Sequence, residues 1–391
     1  MIKITLKSGK EQSILRYHPW IFSGAIKKIE GKPTEGDLVA VYSEKDEFLA
    51  IGHYQIGSIT VRIISFEQVE INDDFWRNKI SKAYQMRKRL GLAENPQTNV
   101  YRLVHGEGDG MPGLIVDVYD NTAIIQAHSI GMYHIRNQIA QVIKEIYGDR
   151  LNAIYDKSEG TLPHKANVGA KNEFILGSNP SGEVVEYGNK FFVNWVEGQK
   201  TGFFIDQREN RKLIEFYSKD KSVLNMFCYT GGFSVYALRG SAKMVHSVDS
   251  SEKAIELTNQ NVSLNFSSSN HTAYEADAFE FLNNIDNQYD LIILDPPAFA
   301  KHQGALSNAL QGYKRINAKA ISKIKPGGIL FTFSCSQVIN KDQFRQAVFS
   351  AATIAKREVS IMHQLSQSPD HPINIYHPEG EYLKGLVLYV E

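Results

Sequence analysis

Val223-Leu224-Asn225-Met226-Phe227-Cys228-Tyr229-Thr230-Gly231-Gly232-Phe233 carries one apolar run into a turn and out into another. The order is strand, tight turn, helix. A ligand at such a junction lies against backbone at the carboxyl end of the strand. A dinucleotide site needs early glycines in the pattern G-x-G-x-x-G. Phe227 and Tyr229 stand there instead, so a diphosphate has no open cradle and a dehydrogenase is disfavoured. Backbone amides and Gly231-Gly232 still suit a smaller ligand without a diphosphate. A plain strand–helix turn is the competing reading.

Outward from this stretch the chain alternates. Strands are expected at 222–227, 244–248, 290–294 and 328–333, with helices at 233–238, 252–265 and 312–324. That is a parallel, doubly wound sheet. Segments 359–365 and 385–390 read as strands with no helix between them, an antiparallel closing pair. Acids fall at the strand tips. Asp249 lies 24 residues after Asn225, where a carboxylate accepts two ribose hydroxyls; capping the next helix is the alternative, which Ser250 could equally supply. Asp277-Ala278 fits the third tip, where a carboxylate accepts from an adenine amino group. Asp295-Pro296-Pro297-Ala298-Phe299 places a carboxylate on a rigid diproline platform. Phe333-Ser334-Cys335-Ser336-Gln337 puts a thiol at the following tip, a candidate nucleophile. Cys228 competes for that role, or packs as a small apolar residue.

The first seventy or so residues read as short strands, at 2–6, 38–41, 48–51 and 59–64, in a small barrel or sandwich (domain 1–72). Asp74 can cap a helix through Trp76, Ile80, Tyr84, Met86 and Leu90. Its exposed face would carry Arg77, Lys79, Lys82, Arg87, Lys88 and Arg89. Strands at 113–118, 123–128 and 153–156, a helix at 132–146 and a hairpin at 183–192 complete a small α+β domain over 73–190, leaving 191–391 for the doubly wound part.

The 391 residues hold 43 Lys+Arg against 43 Asp+Glu, with 42% hydrophobic and 22% charged residues, an ordinary globular composition. Two cysteines exclude an all-cysteine zinc site or a disulfide framework. The 12 His form no ligand-spaced cluster, so no metal is expected. MIKITLKSGK lacks a signal-peptide apolar region, and no stretch approaches the roughly 18–20 apolar residues of a membrane span. The expectation is a cytoplasmic protein without membrane contact. Neutral net charge gives no global nucleic-acid signature, but a local basic patch remains compatible with it.

Taken together the motifs resemble the class I S-adenosylmethionine-dependent RNA methyltransferases. More narrowly, the chain resembles the bacterial family of large-subunit (23S) ribosomal RNA cytosine-C5 methyltransferases that carry an N-terminal PUA domain. His18-Pro19-Trp20-Ile21-Phe22 and Gly36-Asp37-Leu38-Val39 resemble the PUA part. Arg102–Gly110 with Pro112-Gly113-Leu114 resembles the middle domain. Gln199–Arg208, Asn225–Phe233, Asp295–Phe299, Ser334–Ser336 and Tyr382–Leu386 resemble the methyltransferase motifs. The implied fold is α/β: a Rossmann-like methyltransferase domain with a β-rich PUA domain and a small α+β middle domain.

The resemblance implies S-adenosylmethionine as cofactor. Lys200, Gln207 and Arg208 would meet its carboxylate, and Asn225, Phe227, Tyr229, Gly231, Asp249, Asp277, Ala278 and Asp295 the rest. A surface ion pair is the alternative for Arg208. It implies Cys335 as the nucleophile that adds to cytosine C6, with Asp295 near N3. One departure is Ala298, where many relatives have Lys. The implied partner is ribosomal RNA, single-stranded or with its base flipped out; DNA is not expected, and a homodimer is left open. Two other readings remain: amino-nitrogen methylation of a base, which needs no thiol, and a non-catalytic RNA-binding assembly factor. Trp20 and Phe22 read as core before base-stacking residues. His105, Glu107 and Asp109 either touch RNA or order a loop.

Overall fold

A computed structural model describes residues 1–163, 168–267, 270–300 and 302–391. They form two compact units. The first comprises residues 1–185, 193–205 and 369–380, the second 186–192, 206–368 and 381–391.

The first unit holds two sheets. One has six strands in the order Trp20–Phe22, Ile59–Ser65, Phe48–Tyr54, Leu38–Tyr42, Ile2–Leu6, Ile26–Glu30, antiparallel except where Ile2–Leu6 meets Leu38–Tyr42. The other has five, Glu173–Leu176, Ala153–Asp156, Thr122–Ala127, Leu114–Tyr119 and Val100–His105. Helices Asp73–Arg89 and Arg136–Tyr147 close the second core with Trp76, Ile80, Ile139 and Ile143. The helix expected over 132–146 is split, with Ile130–His134 preceding Arg136–Tyr147.

The basic helix differs from expectation in two ways. Its cap is Asn72, whose side chain accepts from Phe75 N, not Asp74. Arg87 is wholly buried. It grips Asp109 with two bonds (2.5 and 2.8 Å) and donates to the Asp370 carbonyl (2.7 Å). Arg102 grips Asp117 in the same forked manner (2.8 and 2.9 Å). Asp109 also accepts from His105 N, and Glu107 accepts from the Trp20 indole (2.8 Å) and Arg62 (3.2 Å). These bonds order the 106–110 turn.

Burial pushes His53 and His128 down to about 4, with positive charge from His134 and Arg102 respectively adding to the effect. An unfolded histidine takes up its proton near pH 6.5. The unfolded state therefore binds more protons between about 6.5 and 4, and stability falls as pH drops through that window. Trp20, Trp76 and Trp195 all belong to the first unit, so tryptophan fluorescence reports on it alone. Urea unfolding followed by fluorescence should give a lower midpoint at pH 5 than at pH 7.5, and a smaller drop in His53→Gln. Equal midpoints at both pH values would refute the assignment.

The second unit is one sheet of seven strands, numbered here within it: β1 (Ser222–Met226), β2 (Met244–Asp249), β3 (His271–Glu275), β4 (Leu291–Leu294), β5 (Gly328–Ser334), β6 (Val359–Leu365) and β7 (Lys384–Val390). The spatial order is β3-β2-β1-β4-β5-β7-β6, and β7 alone runs opposite in direction to the other six. The helices are α1 (Arg208–Tyr217), α2 (Gly232–Arg239), α3 (Glu252–Asn265), α4 (Ala278–Asn283), α5 (Leu306–Lys323) and α6 (Lys341–Ala355). Helices cover both faces, so the central strands are apolar on both. Alternate residues serve opposite cores. Val223, Val245, Leu291, Ile293, Phe331 and Phe333 pack with Ile214 of α1 and Phe233 and Ala237 of α2. Leu224, Met226, Val248, Ile292, Leu294 and Leu330 pack with Ala278 of α4, Tyr313 and Ile316 of α5 and Phe344 of α6. Successive β2–β1–β4–β5 strands bring their carboxyl ends to one edge, as parallel pairing requires.

Candidate active site

β1 ends at Met226 because the next residue turns left-handed. Phe227 (φ 59°), Tyr229 (φ 47°) and Gly231 (φ 72°) all adopt this conformation. For a residue with a side chain it costs about 1–2 kcal/mol, and such strain concentrates at functional sites. The turn is held from several sides. Cys228 N donates to Val248 O, Gly231 N to Cys228 O, and Tyr229 N to Asp249 Oδ2 (3.0 Å). From α3, Thr258 donates to Tyr229 O and Asn261 to Thr230 O. A Cβ on Gly231 would meet Thr258 atoms at 2.8–3.1 Å. Gly231→Ala should therefore destabilise the second unit by about 1–3 kcal/mol, from strained φ and overpacking together. Circular dichroism in urea measures it, and an unchanged midpoint would contradict it.

Asn225 lies fully buried between the sheet and α2. Its amide donates to Ser234 Oγ (2.8 Å). Ser234 meets Ser247 Oγ (2.6 Å), which meets His271 Nε2 (2.8 Å). This polar chain links β1, α2, β2 and β3. Asp249 ends β2. Its Oδ1 accepts from Ser251 N, and the cap of α3 is Ser251, not Ser250 or Asp249. Asp277 caps α4, accepting from Phe279 N (2.8 Å) and Glu280 N (3.0 Å), and Ala278 is that helix's buried first residue.

Asp295 follows β4 and is half-buried. Its Oδ2 accepts from Gln207 Nε2 (3.1 Å), and Gln207 Oε1 accepts from Asn210 (2.6 Å). The structure thus brings two of the sequence candidates, Gln207 and Asp295, into direct contact. Arg208 opens α1 and is fully buried, its Nε 3.6 Å from Glu186 Oε2. The ion pair is therefore a buried one, not the surface pair considered from sequence. Glu186 also takes two bonds of 2.7 Å from Arg211 and one from the Tyr236 hydroxyl. Sequence reasoning passed over Glu186; a lone acid between Val184-Val185 and Tyr187 was its only signal. Lys200 belongs to the first unit, exposed and left-handed (φ 51°), its ammonium 4.8 Å above the Phe204 ring.

The two thiols differ sharply. Cys228 is buried, 3.4 Å from Thr258 Oγ1, and burial pushes it up to about 12. Essentially no thiolate forms there at neutral pH. Cys335 is half-buried at the end of β5, between Ser334 and Ser336, which are fully buried. Ser336 donates to Ala300 O (2.6 Å). Cys335 itself, just past the strand, packs partly against the apolar core that holds Phe331 and Phe333. Iodoacetamide at pH 8 should modify Cys335 and spare Cys228 in the folded chain, and modify both in urea. Peptide mass spectrometry reads this, and native labelling of Cys228 would contradict it. Among the described residues there is no metal-binding group of His, Cys, Asp or Glu, and no helix is long and apolar enough to cross a membrane.

Comparison with known proteins places this geometry. Residues 4–66 match a PUA-like domain and residues 153–374 an S-adenosylmethionine-dependent methyltransferase. The ribosomal RNA large subunit methyltransferase I of Pseudoalteromonas atlantica is 41% identical over 99% of both chains, and that of Aeromonas hydrophila 39% over 98% of both. Among solved structures, a candidate S-adenosylmethionine-dependent methyltransferase from Streptococcus mutans (TM-score 0.84) and the methyltransferase-like SMU.776 bound to SAH (TM-score 0.86) each match over the whole of both chains. At 22% identity both show the fold alone. A PUA-like domain, a seven-stranded methyltransferase sheet and full-length identity near 40% together mean that the chain belongs to the S-adenosylmethionine-dependent methyltransferases, in the family of the ribosomal RNA large subunit methyltransferases I.

Proposed function

We propose that the chain methylates C5 of a cytosine in large-subunit ribosomal RNA, with Cys335 as the nucleophile. The observation that carries this reading is the thiol at the β5 tip. It is flanked by two buried serines on the same sheet edge as Asp295, while the other cysteine is buried and protonated. The RNA class follows from the relatives' names.

The donor set fits S-adenosylmethionine. Asp249 at the β2 end suits two ribose hydroxyls, Asp277 and Ala278 at the start of α4 suit the adenine edge, and the left-handed turn 227–231 offers backbone to the ligand. Arg208, with Gln207 beside it, suits a carboxylate. When bound, the cofactor supplies an electrophilic methyl group. The Cys335 thiolate adds to cytosine C6, forming a C–S bond and making C5 enamine-like. Asp295, oriented by Gln207, stabilises this adduct at N3. Once C5 carries the methyl group, its proton leaves to a base. The C–S bond then breaks with its electron pair returning to sulfur, which restores the ring and the thiolate.

The test uses labelled S-adenosylmethionine and large-subunit ribosomal RNA lacking its native methylations, digested to nucleosides for mass spectrometry. Label in 5-methylcytidine is expected. Label in an N-methylated nucleoside would overturn the C5 reading. No label on naked RNA or on particles would favour the binding-factor reading.

A further inference from the structure

Lys384 is a charged residue where the sheet should be apolar. It opens β7, directly opposite Ser334 in the antiparallel pairing with β5, and is only 3% exposed. Its ammonium donates to two backbone carbonyls, Ser336 O and Tyr382 O, each at 2.6 Å. Burying an ammonium costs several kcal/mol unless it is well hydrogen-bonded, so its presence at this point needs a reason. Cys335 supplies one, because it stands between the residue paired with Lys384 and the residue whose carbonyl Lys384 holds.

We infer that Lys384 is a positioning residue for the nucleophile: it fixes the Ser-Cys-Ser turn through the Ser336 carbonyl and places a positive charge that favours the Cys335 thiolate. The inference rests on the reading of Cys335 as nucleophile. The surrounding charges are consistent with it. Burial pushes Lys384 down to about 8, while Cys335 and then Glu381 pull it up and Lys341 pulls it down. The ammonium is therefore still mostly protonated at neutral pH. Lys341 and Glu381 pair with each other at 2.5 Å. Cys335 and Asp295 both act electrostatically on Tyr313 of α5. Tyr313 is itself pushed upward by burial and stays neutral.

The experiment measures the pH dependence of Cys335 alkylation by iodoacetamide, in the full chain without RNA or cofactor, by peptide mass spectrometry. A free thiol titrates near 8.5. The wild-type midpoint should fall below that value. In Lys384→Met it should rise by about one pH unit, with alkylation at pH 7 about tenfold slower, as loss of an adjacent opposite charge predicts. Lys384→Arg, which keeps the charge, should recover most of the wild-type midpoint. An unmoved midpoint in folded Lys384→Met overturns the inference. A wild-type midpoint at or above 8.5 overturns it even if neither variant folds. Methylation by Cys335→Ala protein would sink the nucleophile reading instead, and leaves the alkylation profile to be judged by itself.

Discussion

Cys335→Ala protein should form 5-methylcytidine at least about 10⁴-fold more slowly than wild type, the order of loss found when an essential nucleophile is removed. C5 of cytosine is too weak a nucleophile to take a methyl group until C6 is substituted. Cys335→Ser should fare little better, because a hydroxyl ionises far less readily than a thiol. Substitution of Cys228 should leave the rate within about tenfold, since that buried thiol is pushed up to about 12. RNA carrying 5-fluorocytidine at the target gives a second readout. Its C5 substituent cannot leave as a proton, so wild-type protein should accumulate as a covalent complex and Cys335→Ala should not. Turnover by Cys335→Ala within tenfold of wild type would rule out the thiol mechanism.

Glu186→Gln should lower the stability of the second unit by roughly 3–5 kcal/mol, the usual result of stripping one partner from a buried ion pair. Arg208 and Arg211 both reach this carboxylate, and all three side chains are almost wholly buried. The substitution keeps the volume and removes the charge. For a unit of this size the loss corresponds to a fall on the order of 10 °C in melting temperature. Circular dichroism should show it, while the tryptophan signal of the first unit serves as an internal reference. A shift of under two degrees would mean that the cluster adds little to stability.

The doubly wound sheet was legible because its strands are short apolar runs ended by acids or turn residues. Leu291–Leu294 followed by Asp295-Pro296-Pro297 leaves few other readings. Strand alternation then delivers two cores from one run of sequence. Helix α6 was not anticipated, since two of its four buried residues are alanines, a weak apolar signal, although Asn340 and Gln343 form a full capping box. Arg87 was misread for a different reason. Spacing put it among the solvated cations of its helix, but Asp109 and the carbonyl of Asp370, 283 residues later in the chain, draw it inward. Gln207 was assigned to the cofactor from the motif around it; its hydrogen bond to Asp295 depends on a partner 88 residues away. Long-range polar partners leave no periodic trace, and Glu186 and Lys384 went without a role on the same account.

The residues of the first unit are not contiguous, and the last of them, 369–380, come near the end of the chain. Asp370 lies among them, holding Arg87 through its carbonyl and Arg102 N through its carboxylate (2.9 Å). During synthesis, then, the amino-terminal half leaves the ribosome with a buried arginine still waiting for one of its acceptors. At about 5–20 residues per second that wait lasts some tens of seconds. The amino-terminal sheets can form early, but their final locking waits for the synthesis of residues 369–380. A nascent chain stalled before residue 369 should accordingly be more protease-sensitive around Arg87 and Arg102 than the released protein.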